Sequence, residues 1–268
     1  MMPKEISFTL DGQEVSGLPG ETIWQVAHRL GIEIPHLCYS PAPGYRADGN
    51  CRTCMVEIEG ERVLAASCNR LPKVGMVVWV ESSRARNARS IVMELLVTDQ
   101  PARLQAHDPE SELWQWAERI GQMESRFPKR SSPPNDSSHP AMSVNLDACI
   151  HCTRCVRFLD EVTGTHELVI KERGDRTELC LASGASVDND YAANIVDICP
   201  VGALTSREFR FQQRVWYLES TDAVCTGCAT GCNVRVDALQ DEIYRIQPRF
   251  NADVNGYWMC DAGRRTHQ

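Results

Sequence analysis

An α+β fold assembled from several small modules is what this sequence predicts, on three observations. Residues 1–81 alternate apolar and polar positions around one short helical stretch, and residues 82–127 then change to a helical period. Twelve of the thirteen cysteines fall in three blocks separated by cysteine-free sequence. The expected modules are 1–81, a β-grasp domain; 82–127, a helical connector; 128–140, a linker; 141–214, a ferredoxin-like domain; and 215–268, a small β-rich module.

Ile6, Phe8 and Leu10 alternate, the chain turns at Asp11-Gly12, and the alternation resumes at Val15, the pattern of a hairpin with Asp-Gly at its tip. A helix follows, with Thr22 as N-cap, Gln25 three residues on, an apolar face of Ile23, Val26, Ala27 and Leu30, and Gly31 as terminator. "CMVEIEGERVLAAS" and "GMVVWVES" supply returning strands around a Gly60 turn. Hairpin, helix and returning strands together have the pattern of a β-grasp.

From residue 82 the helical period puts Ile91, Val92, Leu95 and Leu96 on one face and Leu113, Trp116, Ala117, Ile120 and Phe127 on another, as core positions. Arg84, Arg86 and Arg89 fit one solvated helix face. "PKRSSPPNDSSHP" is too rich in proline and small polar residues to pack and reads as a linker. Near the end, "NVRVDALQDEIYRIQP" alternates about Gln240-Asp241 as a hairpin would.

The cysteine spacings carry the chemistry. In "DACIHCTRCVRFLDEV", Cys149, Cys152 and Cys155 have the x2, x2 spacing that wraps a cubane iron–sulfur cluster, but Leu159 stands where bacterial ferredoxins place a fourth cysteine. The chain's single Cys-Pro pair, Cys199-Pro200 in "DICPVGALT", has the form of a closing ligand, so one cubane held by Cys149, Cys152, Cys155 and Cys199 is expected. Cys38, Cys51, Cys54 and Cys68 resemble the plant-type [2Fe–2S] arrangement with a wider first gap, and Gly44, Gly49 and Asn50 would let backbone N–H groups approach cluster sulfur. Cys225, Cys228, Cys232 and Cys260 form a CxxCxxxC run with a late closing cysteine. One isolated CxxC pair would favour structural zinc. Three quartets, one closed by Cys-Pro and one inside a β-grasp pattern, favour iron–sulfur. Cys180 belongs to no block and is expected to be a buried, inert thiol.

The net charge of −8 provides no general basic field for nucleic acid or an anionic membrane. The opening "MMPKEISFTLDG" has no apolar export core, and no apolar run reaches the length of a membrane span. A soluble, cytoplasmic protein with reduced thiols is therefore expected.

With these residues in hand, the chain resembles the N-terminal iron–sulfur region of the large subunit of bacterial respiratory NADH dehydrogenase (complex I). It is equally similar to the diaphorase iron–sulfur subunits of NAD-linked hydrogenases and formate dehydrogenases. The most specific pieces are "CxxCxxCVRF" at 149–158, "NIVDICPVGALTS" at 194–206, and "CTGCATGCNVRV" followed by "RFNADVNGYWMCDAGR". The resemblance implies a [2Fe–2S] cluster on Cys38, Cys51, Cys54 and Cys68, a [4Fe–4S] cluster on Cys149, Cys152, Cys155 and Cys199, and a second [4Fe–4S] cluster on Cys225, Cys228, Cys232 and Cys260. This last site resembles the module that opens molybdopterin oxidoreductase domains.

The sequence departs from that pattern in two places. Family members carry a further cubane in a stretch like "HPxDCPxCxxxGEC", whereas here Gln100 replaces the histidine and no cysteine lies between Cys68 and Cys149, so that cluster is expected to be absent. His107 reads as a solvated histidine near a helix start. Only "DAGRRTHQ" follows Cys260, and neither a Gly-rich dinucleotide fingerprint nor a nucleophile–base pair is visible. The implied role is an electron-transfer subunit without a substrate site of its own. Its implied partners are a flavin- and NAD-binding diaphorase subunit, a thioredoxin-like [2Fe–2S] subunit, and a catalytic hydrogenase or dehydrogenase subunit. A shortened complex I subunit is the alternative of the same class, and a structural zinc protein the alternative of another.

Overall fold

A computed structural model describes residues 5–41, 46–129 and 142–268, so Gly44 and all but the first two residues of the expected linker lie outside the described residues. The described residues divide into two compact units, one taking in 5–40 and 46–129, the other 142–268.

In the first unit, β1 (Ile6–Leu10) and β2 (Gln13–Gly17) pair antiparallel through a turn whose residues Asp11 and Gly12 have φ of 46° and 81°. Positive φ at both positions is the backbone that matches strand twist in a two-residue hairpin, and Asp-Gly adopts it at least cost. Helix α1 (Ile23–Arg29) opens on a complete capping box: the Thr22 hydroxyl accepts from the Gln25 N–H at 3.3 Å, and the Gln25 side chain accepts from the Thr22 N–H at 2.9 Å. Strands β3 (Met55–Ile58), β4 (Ala65–Ala66) and β5 (Val77–Trp79) complete a five-stranded sheet of order β2-β1-β5-β3-β4, in which β1 and β5 run parallel. Phe8, Leu10, Val56, Ile58, Val78 and Val80 bury one face of this sheet against Ile23, Trp24, Val26 and Ala27 of α1. Cys54 and Cys68 belong to the same core.

Helices α2 (Ser83–Thr98) and α3 (Glu112–Ile120) follow, and α2 packs on both β3 and α3. α2 differs from expectation in which face it buries. Ala85, Arg89, Met93, Glu94 and Val97 face inward, while Ile91 and Leu95 are exposed. Arg89 also departs from the expected solvated face. Both charged residues are buried because each is paired: Arg89 with Glu81 at 2.7 Å, and Glu94 with Arg126 at 3.0 Å. In α3, Leu113, Trp114 and Ala117 are buried, and Gly121 closes the helix.

In the second unit, β6 (Met142–Val144) pairs with β9 (Leu204–Ser206), and β7 (Leu168–Lys171) pairs with β8 (Glu178–Leu181). Between β6 and β7, helix α4 (Arg154–Arg157) runs into a π turn over Phe158–Thr163. The short helix α5 (Asn194–Asp197) precedes Cys199. Met142, Val144, Phe158, Leu159, Leu168, Ala192, Ile195 and Leu204 form the core, with Cys149, Cys155 and Cys199 packed against it. A separate antiparallel sheet, β10 (Glu219–Val224), β11 (Asn233–Leu239) and β12 (Glu242–Pro248), carries the last cysteine block, and α6 (Asp261–Arg264) closes the chain. β11 and β12 turn at Gln240, whose φ is 55°. Among the described residues no helix is long and apolar enough to cross a membrane.

Candidate metal centres

The first quartet sits where the loops of the β-grasp sheet meet. Cys38 lies in the loop beyond α1, Cys51 and Cys54 lead into β3, and Cys68 follows β4; all four are buried. The Cys38 N–H donates to Cys51 Sγ at 3.3 Å, and Cys51 Sγ lies 3.2 Å from the Thr53 hydroxyl. The thiols also share protons with one another. The Cys51 thiol is pushed up chiefly by its hydrogen bond with Cys38, and Cys68 is raised by its bonds to Cys38 and Cys54. Cys54 is lowered because Cys68 donates to it. Four buried sulfurs within reach of one another are a donor set suited to a metal centre, whose charge would favour their thiolate forms. Gly49, beside the loop, has φ of +64°, and a Cβ there would stand 2.7 Å from the Asn69 side-chain nitrogen, so glycine is required on two grounds.

The second quartet lines one cavity. Cys149, Cys152, Cys155 and Cys199 share it with Ile150, Ile170, Leu179, Val201, Ala203 and Leu204. Burial, and then the neighbouring Cys199, pushes the Cys152 thiol up to about 12, and Cys155 is raised well above the ordinary value mainly by burial. His151 and Thr153 have φ of 51° and 61°, left-handed values that non-glycine residues adopt at some cost. These two residues, one on each side of Cys152, let the CxxCxxC loop wrap the cavity. Arg154 donates to the Ile198 carbonyl at 3.1 Å and so ties that loop to the segment bearing Cys199, while Arg157 donates to the Cys152 carbonyl at 3.2 Å. Leu159, in the position of the missing ferredoxin ligand, is fully buried in the apolar core.

The third quartet is more open. Cys225 is buried, Cys232 and Cys260 are half-buried, and Cys228 is exposed in the loop between β10 and β11. The Cys225 N–H donates to the Cys232 carbonyl at 2.8 Å and fixes this loop. Gly227 N–H donates to Cys225 Sγ and Gly263 N–H to Cys260 Sγ, each at 3.4 Å. A Cβ on Gly263 would lie 3.2 Å from Cys225 Sγ and 3.5 Å from Cys260 Sγ, which brings the first and last thiols to one point. Burial raises Cys232, as do the charges of Cys225, Cys228 and Cys260, so all four thiols stand in mutual electrostatic reach. Hydrogen bonds from Thr230 lower Cys228. Tyr191, from the loop before α5, is raised by burial and then by Cys260, Cys232, Asp190 and Cys228.

Within each block the thiols lie near enough to act on one another: Cys38 and Cys54 on Cys51 and Cys68, the second four around one cavity, and Cys225, Cys228 and Cys260 on Cys232. No group of three or more His, Cys, Asp and Glu among the described residues has the ready-made geometry of a single-ion site. Cys180 lies on β8 and is half-buried rather than buried. Gln100 is buried just beyond the end of α2, and His107 is exposed. The polar residues that support the third site, Asn194 and Asp261 above all, carried no recognisable sequence signal of their own.

Comparison with known proteins gives the same order of parts. Residues 3–83 match the family described as 2Fe-2S iron-sulfur cluster binding domain. Residues 139–205 match the NADH-quinone oxidoreductase subunit 3 ferredoxin-like domain, and residues 218–268 match the NADH-ubiquinone oxidoreductase NDSU1/NuoG-like 4Fe-4S domain. The mitochondrial NADH-ubiquinone oxidoreductase 78 kDa subunit of Candida albicans is 36% identical over 265 residues, covering 97% of this chain and 36% of that protein. The G subunit of NADH-quinone oxidoreductase from Rickettsia bellii is 35% identical over 262 residues, covering 97% and 38% respectively. The chain therefore spans less than two fifths of the length of these relatives. A chain of the crystal structure of NAD+-reducing [NiFe]-hydrogenase in the H2-reduced state superposes with a TM-score of 0.66 at 32% identity, covering 78% of this chain and 91% of that one. The chain belongs to the family of iron–sulfur subunits that includes the N-terminal region of the NADH-quinone oxidoreductase G subunit and this chain of the NAD+-reducing hydrogenase.

Proposed function

We propose that this chain is an electron-transfer subunit. It relays electrons between a flavin- and NAD(H)-binding partner and a second catalytic subunit of hydrogenase or formate dehydrogenase type. The observation that supports this most is the convergence of three separate cysteine quartets on one chain, each within the stretch matched by an iron–sulfur domain family. In this reading Cys38, Cys51, Cys54 and Cys68 hold one [2Fe–2S] cluster. Cys149, Cys152, Cys155 and Cys199 hold a [4Fe–4S] cluster, and Cys225, Cys228, Cys232 and Cys260 hold another.

Bound clusters would supply one-electron transfer. The chain's own residues bind, orient and insulate. The Cys38, Gly227 and Gly263 N–H groups donate to ligand sulfurs, which stabilises negative charge there and raises potential. Ile170, Leu179 and Leu204 keep water from the second site. The β-grasp domain would face the flavoprotein, and a thioredoxin-like [2Fe–2S] subunit is the further partner expected.

The test is NADH reduction of the anaerobic protein, followed by visible bleaching with and without its flavoprotein. Bleaching that requires the flavoprotein is expected. An isolated chain that NADH reduces at the same rate would refute the role. A second reading, a peripheral-arm subunit of NADH-quinone oxidoreductase, is favoured by the 35% identity to the Rickettsia bellii protein and would co-purify with membrane-arm proteins.

A further inference from the structure

The third quartet does not stand on its own sheet alone. Its closing cysteine, Cys260, lies between Met259 and Asp261, and the backbone of both neighbours is held by the segment that leads into α5. The Asp261 N–H donates to the Asp190 carbonyl at 2.7 Å, and the Asp261 carboxylate accepts from the Ala193 N–H at 3.1 Å. On the other side, the Asn194 amide grips the Met259 peptide from both ends. Its Nδ2 donates to the Met259 carbonyl at 2.8 Å, and its Oδ1 accepts from the Met259 N–H at 3.3 Å.

Asn194 is fully buried, and its amide is completely used. Nδ2 also donates to the Tyr191 carbonyl at 2.8 Å, and Oδ1 also accepts from Arg264 Nη2 at 2.9 Å. A primary amide offers two donors and an oxygen with two lone pairs, and all four are matched here, a set that no other side chain of this size reproduces. Arg264 in turn pairs with Asp197 at 2.6 Å, one helical turn from Asn194 on α5. Trp258 packs edge-on against Phe158 at 4.8 Å between ring centroids. Tyr191 completes the seam, standing close enough to Cys228, Cys232 and Cys260 for their charge to bear on its phenol.

We propose that Asn194, although it lies in the ferredoxin-like domain, is the positioning residue of the third metal centre, fixing through Met259 the backbone that presents Cys260. The inference rests on the reading of the third quartet as a cluster site. It makes the retention and potential of that cluster a property of α5, the helix that leads to the closing ligand of the second.

The test uses the full chain, purified anaerobically with its partners, and reads each cluster by EPR during redox titration and chelator challenge. Cys228→Ser identifies the third cubane's signal by removing it. In Asn194→Ala the third cubane is expected to broaden and to lose iron to chelator with roughly 10- to 100-fold weaker retention, the usual cost of removing a group that orients a ligand, while the second keeps its signal. Asn194→Asp keeps the acceptor and the size but loses both donors and adds charge, so it lowers the third midpoint potential with the second unchanged. If Asn194→Ala loses both cubanes, the Asp variant decides, on that shift alone. A third cubane with wild-type line shape, midpoint and chelator resistance, or equal changes at both cubanes in the Asp variant, overturns the inference. A wild-type chain lacking a third signal overturns instead the cluster assignment beneath it.

Discussion

Moving the fourth thiol of the second site from Cys199 to residue 159 tests why the ferredoxin pattern is interrupted there. Leu159 has no exposure and packs with Met142, Phe158 and Leu168, and among the described residues it is not part of the lining of the four-thiol cavity. In Cys199→Ser the second cubane is expected to lose its [4Fe–4S] signal. Adding Leu159→Cys should not restore it, because the new thiol would point into the apolar core. The second change carries its own cost. Leucine to cysteine removes about two methylene equivalents at about 0.8 kcal/mol each, and incomplete collapse of the core adds a cavity contribution, giving about 2–3 kcal/mol in all. At roughly 2–4 °C per kcal/mol for a chain of this size, the apparent melting temperature should fall by about 4–12 °C relative to Cys199→Ser. The assay is low-temperature EPR of the dithionite-reduced protein beside thermal unfolding. A double variant that recovers the cubane signal at wild-type intensity, with an unchanged melting temperature, would refute the placement of Leu159.

Three further outcomes follow from the same geometry. In metal-free protein, Cys152 is held protonated by burial with its pKa pushed up to about 12 from an ordinary 9.0, so it favours the folded state below the ordinary value. That contribution is lost as pH rises from about 9 toward about 12; the unfolding midpoint should drop across that window, and Cys152→Ser should reduce the drop, leaving the part that the likewise raised Cys155 contributes. Asp237 is buried between Arg245 at 2.6 Å and the Ser220 hydroxyl at 2.6 Å, so Asp237→Ala strands a guanidinium and should destabilise the β10–β12 sheet by about 3 kcal/mol, read by chemical denaturation. Iron removal should expose the β10–β12 module to protease before the β-grasp core, since its own core is only Cys225, Val234, Ile246 and Met259; equal resistance of that module and the β-grasp after chelation would count against this.

Much of the first unit was legible because its signals are local. Asp11-Gly12 encodes its own turn, the Thr22/Gln25 box encodes its own helix start, and alternation about Gln240 encodes the last hairpin. The cysteine quartets were legible for a related reason: ligand spacing records how a chain wraps a common centre. The buried face of α2 was not legible. Periodicity assumes that charged residues face water, whereas Arg89 and Glu94 are buried by pairing with Glu81 and Arg126, which leaves Ile91 and Leu95 outside. Strand β10, "ESTDAV", is polar and largely exposed, and it is a strand only because β11 offers it a ladder. The contacts of Asn194 could not be read for the same reason, although the sequence motif begins with it, since its partners Met259 and Arg264 lie 65 and 70 positions away. Long-range hydrogen bonds leave no periodic trace in a sequence.

Iron, sulfide and EPR analysis of the anaerobically purified chain tests the central claim most directly. The expected result is about ten iron atoms per chain, with one [2Fe–2S] and two [4Fe–4S] signals that appear at separate potentials on stepwise reduction. A colourless protein that carries stoichiometric zinc and stays EPR-silent at every potential would contradict it.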